Sequence, residues 1–172
     1  KIRIPARQEE VAKAILDFLN TPPYEKNDKT IVFCTDQQHA QEMTELLVNF
    51  SGLGTKYCKR ITSNEKNRVA DLDKFCSVKE KYPVIAVTSE LMSTGVNAPS
   101  CKLIVLDKIV NSMTQLKQID GRGTRIQENM DKFWYTVLDF RGSTAKYSDP
   151  MWDGEPANTP KRPGKGDDSI SK

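Results

Sequence analysis

Histidine is nearly missing from these 172 residues: His39 stands alone, and the four cysteines (Cys34, Cys58, Cys76 and Cys101) include no C-x-x-C pair. A tetrahedral zinc site needs several such ligands at close spacing, so no metal site is expected. Each cysteine lies in an apolar setting such as IVFC or DKFC, where a reduced thiol behaves as a small hydrophobe. That usage fits a reducing, cytoplasmic compartment. No run approaches the ~18 apolar residues of a membrane-spanning helix, and no signal-peptide core is present. No phosphate-cradling G-x-x-x-x-G-K-[ST] loop occurs. Asp17, Asp71 and Asp73 read as helix-surface charges, so no paired-carboxylate nuclease centre is expected. Excess charge is small too: 26 Lys+Arg against 23 Asp+Glu leave +3, which permits a polyanionic partner without demanding one.

What is present is ordinary for a globular chain, with 37% hydrophobic and 28% charged residues. The length allows one domain plus a tail. The sequence opens with Lys1 and not Met, and is read as a piece of something longer. Residues 142–172 hold four of the nine Gly and four of the nine Pro. From Asn158 onward the only large apolar residue is Ile170, too little buried surface to offset the entropy of ordering, so this end is expected to be a mobile tail or linker.

Before that tail two periodicities alternate. Gln8–Asn20 puts Val11, Ile15, Phe18 and Leu19 on one helical stripe. Thr30–Cys34 is a short β-branched apolar run, read as a buried strand. Asp36 then suits a helix N-cap, with Ala40, Met43, Leu47 and Phe50 as the stripe and Gly52 and Gly54 as the stop. Lys56–Thr62 reads as a strand, and Ser63 or Asn64 as the cap of a helix carrying Val69, Leu72 and Phe75. Pro83–Thr88, Lys102–Asp107 and Trp134–Phe140 are further strands, and Ser112–Gly121 a helix. His39, in the first turn after Asp36, is expected at the surface. Strands alternating with helices predict an α/β layer fold on a mostly parallel sheet. The boundaries read as 1–28 for a leading helix and connector, 29–141 for the lobe and 142–172 for the tail. In such sheets ligands sit beyond the carboxyl ends of the strands, which singles out the residues after each one.

Two of those loops carry chemistry. In residues 88–99, Gly95 allows a close backbone approach or positive φ, Asn97 offers a donor and an acceptor suited to a sugar hydroxyl, and Pro99 stiffens the exit. The same letters also suit a helix ending on a glycine cap. In Gln118-Ile-Asp-Gly-Arg-Gly-Thr-Arg125, Arg122 and Arg125 lie at i and i+3, so two guanidinium forks could face one anion. They could equally be a solvated basic helix end.

Together these segments resemble motifs V and VI of superfamily-two helicases and translocases. Thr94-Gly95-Val96-Asn97-Ala98-Pro99 is similar to the G-[IV]-[DN]-x-P element, and Gln118-x-x-Gly121-Arg122-x-x-Arg125 to Q-x-x-G-R-x-x-R. Ile31-Val-Phe-Cys-Thr35 resembles motif IV, and all three stand in the family's order, from about Lys29 to Phe140. Val137-Leu-Asp-Phe-Arg-Gly142, Asp149-Pro-Met-Trp-Asp-Gly-Glu-Pro156 and the G-R-G-T-R wording resemble the R (restriction) subunit of type I restriction–modification enzymes.

The resemblance implies a three-layer RecA-like fold of the P-loop NTPase type, here the second of two motor lobes. ATP and Mg²⁺ would be bound mostly by the first lobe, which supplies the phosphate-binding lysine. Arg125 would act as arginine finger with Arg122 in support; Gln118 and Gly121 would line the phosphates, and Gly95 and Asn97 the ribose and phosphate edge. The same strand ends would track duplex DNA. Thr35 and Thr88 have hydroxyls suited to backbone phosphates, and Arg60, Ser63 and Lys66 lie near a third loop. No aromatic is interleaved among them, so backbone tracking is expected over base stacking. Implied partners are the first lobe and the methyltransferase and specificity subunits, with no membrane. The isolated piece would hydrolyse no ATP. Two other readings stay open: a lobe of another DNA or RNA helicase or repair translocase, and a non-catalytic nucleic-acid-binding domain.

Overall fold

The computed structural model describes residues 5–89, 98, 100–120 and 135–146. Ten elements follow in order: α1 (Pro5–Leu19), β1 (Lys29–Cys34), α2 (Gln37–Ser51), β2 (Cys58–Arg60), α3 (Arg68–Cys76), β3 (Ile85–Thr88), β4 (Cys101–Asp107), α4 (Met113–Asp120), β5 (Thr136–Asp139) and α5 (Ser143–Lys146). The strands form one sheet in the order β2-β3-β1-β4-β5, and every neighbouring pair is parallel. Consecutive strands therefore connect through helical crossovers, and all five carboxyl ends reach one edge.

The alternation of a strand's side chains splits the core in two. Val32 and Cys34 of β1 point with Leu103 and Val105 of β4 toward α1 and α2, against Val11, Ile15, Leu19, Met43 and Leu47. Ile31 and Phe33 point the other way with Ile104 and Leu106, meeting Phe75 of α3 and Ile119 of α4. A central strand must be apolar on both faces, which is why TIVFC shows no polar alternation. The result is the expected three-layer α/β fold.

Several details of the sequence reading are placed differently by packing. Helix α1 is no mere leader: Val11, Ala12, Ile15 and Leu19 are buried in the main core. At the other end Ser143 is buried, and its Oγ accepts from the Val110 N–H at 3.0 Å. Helix α3 starts only at Arg68, because residues 62–67 close turns of their own, with Glu65 N donating to the Thr62 carbonyl at 3.1 Å and Arg68 N to that of Glu65 at 3.2 Å. Neither Ser63 nor Asn64 caps it, and Val69, 70% exposed, drops off the stripe. Phe50 is exposed as well, with the Lys13 ammonium 5.0 Å over its ring instead of a core neighbour.

The cap of α2 is as read. The Asp36 carboxylate accepts from the His39 N–H at 2.9 Å, and Gly52 ends the helix at φ 65°, where a Cβ would be strained. None of the four cysteines is in a disulfide, and burial pushes the Cys34 and Cys58 thiols well up.

Candidate functional site at the carboxyl edge of the sheet

The strand ends bring several of the expected residues together. Thr35 is half-buried just past β1 and precedes the cap of α2. Across the edge, Ser63 is exposed after β2, and its Oγ accepts from Gln37 Nε2 at 3.2 Å, tying this turn to the first turn of α2. Lys66 is exposed on the same turn, and Gln118 is exposed on α4. Ser63, Lys66 and Gln118 are exposed, and Thr35 is partly so.

Two expected contacts are differently placed. Thr88 is 1% exposed at the end of β3, so its hydroxyl is not offered to a phosphate at the surface. Arg60 is already engaged: its guanidinium pairs with Glu65, through Nε at 2.6 Å, and donates to Gln41 Oε1 at 3.1 Å. A part-exposed pair of this kind is worth little to stability, so Arg60 acts as a brace of the β2–α3 turn that a polyanion would have to compete for. Gly95, Asn97, Gly121, Arg122 and Arg125 lie outside the described residues.

The largest correction concerns His39 and Asp107. His39 is buried, at 4% exposure, where a surface position was expected. Asp107, the last residue of β4, is fully buried and gathers groups from three other parts of the chain. Arg7 of α1 donates to its Oδ1 at 2.8 Å, and Arg141, after β5, donates to the same oxygen at 2.9 Å. His39 Nε2 stands 3.0 Å from Oδ2, off the line of an ideal hydrogen bond. Burial by itself would raise the Asp107 carboxyl; its contacts with His39 and Arg7 outweigh that, and the group is held below the usual carboxylate range. On the other side of the ring, Nδ1 accepts the backbone N–H of Thr35 at 3.2 Å. An accepting Nδ1 carries no proton, so the imidazole proton is on Nε2, facing the carboxylate.

Beside this cluster Lys108 donates from Nζ to the Ser89 carbonyl at 3.2 Å, linking the ends of β4 and β3, and burial lowers its pKa. Asp139, at the end of β5, caps α5, with Oδ2 accepting from the Thr144 N–H at 2.6 Å. The signal missed in the sequence was positional: LIVLD and TVLD each end an apolar strand on an aspartate, just where a buried strand reaches the ligand-facing edge. Among the described residues no group of three or more His, Cys, Asp or Glu could hold a metal ion, and no helix is long and apolar enough to cross a membrane.

Comparison with known proteins gives this edge a context. Residues 10–127 match the family model described as helicase conserved C-terminal domain. The endonuclease subunit of the type I restriction enzyme EcoAI of Escherichia coli is 49% identical over 158 residues, which are 89% of this chain and 19% of that protein. The corresponding EcoKI subunit of Escherichia coli is 28% identical over 144 residues, covering 79% of this chain and 12% of the relative. The chain thus spans a fifth or less of the curated relatives it matches. A solved fragment from Vibrio vulnificus, described as an HsdR subunit of a type I restriction enzyme, superposes with a TM-score of 0.82 at 42% identity over 88% of this chain and 30% of that one. The Pyrococcus furiosus Hef helicase domain, at TM-score 0.54 and 22% identity over 81% of this chain and 27% of its own, shares the RecA-like fold.

Proposed function

Because the chain belongs to the family of helicase conserved C-terminal domains, we propose that it is the second motor lobe of an ATP-dependent duplex-DNA translocase, the R subunit of a type I restriction enzyme. The observation that carries this reading is that one family match spans the first four strands of the parallel sheet together with the Gln118–Arg125 segment. The sheet brings every strand's carboxyl end to one edge, and α4 leads from that edge into the two-arginine segment.

In this reading the nucleotide lies between this edge and a first lobe that holds ATP and Mg²⁺. The chain's own share is to complete the pocket. Arg125 neutralises charge growing on the γ-phosphoryl oxygens, Arg122 supports it, and Gln118 and Gly121 border the phosphates. Gly95 and Asn97 border the ribose and phosphate edge. An arginine supplied across a cleft in this way contributes roughly 10³–10⁵ in rate in well-studied phosphoryl transfers. Thr35 and Ser63, with Lys66 beside them, face duplex DNA and hold its backbone without reading bases, so binding falls steeply with salt. The methyltransferase and specificity subunits are the partners that complete such an enzyme, and DNA cutting belongs to a part of the protein other than this lobe.

The test is made in the intact motor. Arg125→Ala is expected to abolish ATP turnover while ATP binding stays within a few-fold. Turnover at the wild-type rate would remove the finger role.

A further inference from the structure

His39 and Asp107 are given no part in the proposed nucleotide chemistry, yet both are buried polar groups at the functional edge. The ring is hydrogen-bonded on one side and faces a carboxylate, out of hydrogen-bond line, on the other. Asp107 Oδ2 is 3.0 Å from Nε2, and Nδ1 accepts the Thr35 N–H at 3.2 Å. A buried carboxylate beside one ring nitrogen fixes which nitrogen carries the proton, and thereby leaves the other as an acceptor. Asp107 is itself immobilised by Arg7 and Arg141, at 2.8 and 2.9 Å. The ring adds nothing to the cap of α2, which uses the His39 main-chain N–H and the Asp36 carboxylate. Its side chain is therefore left with one structural task on the β1–α2 turn: the Thr35 amide.

We propose that His39 is a positioning residue for DNA: its Nδ1, accepting the Thr35 N–H, clamps that backbone so that the threonine is presented, preformed, to a phosphate of duplex DNA. The inference rests on the reading of Thr35 as a backbone contact. A turn held by a buried acceptor pays its ordering entropy during folding and not on each DNA encounter, which favours affinity for a track that is bound and released repeatedly.

Two variants of the intact motor separate clamping from mere support of Asp107. Asn reaches about as far as the imidazole Nδ1, so His39→Asn keeps an acceptor for the Thr35 N–H and gives up the contact with Asp107. Gln reaches about as far as Nε2, so His39→Gln keeps a donor for Asp107 and gives up the acceptor. Duplex affinity at fixed salt, ATP affinity and hydrogen exchange of the peptide containing Thr35 are measured in each. Expected for His39→Gln is a loss of roughly three- to tenfold in duplex affinity, the equivalent of about one hydrogen bond, with faster exchange at Thr35 and unchanged ATP affinity. His39→Asn is expected to stay within about twofold of wild type on all three. The reverse order, or equal losses with unchanged exchange at Thr35, overturns the clamp. Thr35→Ala serves as the control on the underlying reading. If it binds duplex as wild type does, the DNA contact fails and the proposal with it, while exchange in the His39 variants still reports whether the ring holds the turn.

Discussion

Asp107, the last residue of the KLIVLD strand, is fully buried and joins α1, α2, β4 and the segment after β5 through Arg7, His39 and Arg141. A buried carboxylate is tolerable only because its partners outweigh the desolvation that would otherwise raise its pKa. Its folded-state pKa lies below the unfolded value of about 3.9, so its contribution to stability is complete above that value and fades as pH falls through the folded one. Asp107→Asn is therefore expected to destabilise by about 3 kcal/mol at neutral pH, the scale of a broken buried pair. The gap to wild type should narrow below about pH 4. Denaturant melts of both proteins across that range check it; a gap that stays constant with pH would show that packing, and not charge, is what Asn disrupts. His39 was misplaced because its burial depends on a carboxylate 68 positions away in sequence, which no local pattern reveals.

At the scale of elements the pattern of apolar residues was informative wherever it was long. TIVFC, the Ala40–Met43–Leu47 stripe, the Asp36 cap and the Gly52 stop are where periodicity and cap chemistry put them. Short elements were less legible. Strand β2 is three residues of a longer expected run, since its pairing partner β3 offers only a short ladder. Helix α1 was recognised by its stripe but assigned outside the lobe, because sequence shows that a face is apolar and not what it faces. It packs against α2 and closes one side of the sheet. Ile15, fully buried there, should cost about 2–5 kcal/mol as Ile15→Ala. Chemical denaturation measures this directly; a cost near zero would return α1 to the status of a detachable leader.

At the scale of the whole molecule, the fold gathers its polar groups at one edge. One parallel sheet sends five strand ends to a common edge, with Ser63 and Lys66 exposed and Thr35 half-buried there beside a buried Asp107–His39 pair. The fold and this edge were legible in the sequence because they depend on apolar runs and on the rule that parallel strands end together. Which polar residues at the edge are open and which are engaged was not, since the Arg60–Glu65 pair and the burial of Thr88 arise only on packing. Arg125 carries the proposed chemistry, and its effect is read in the chemical step. With ATP and duplex bound, cleavage of the γ-phosphate in a single turnover of the intact motor is predicted to slow by at least about 10³ in Arg125→Ala. Arg125→Lys should recover only part of that, because an ammonium keeps the charge without the planar fork. Cleavage at the wild-type rate in Arg125→Ala would contradict the account.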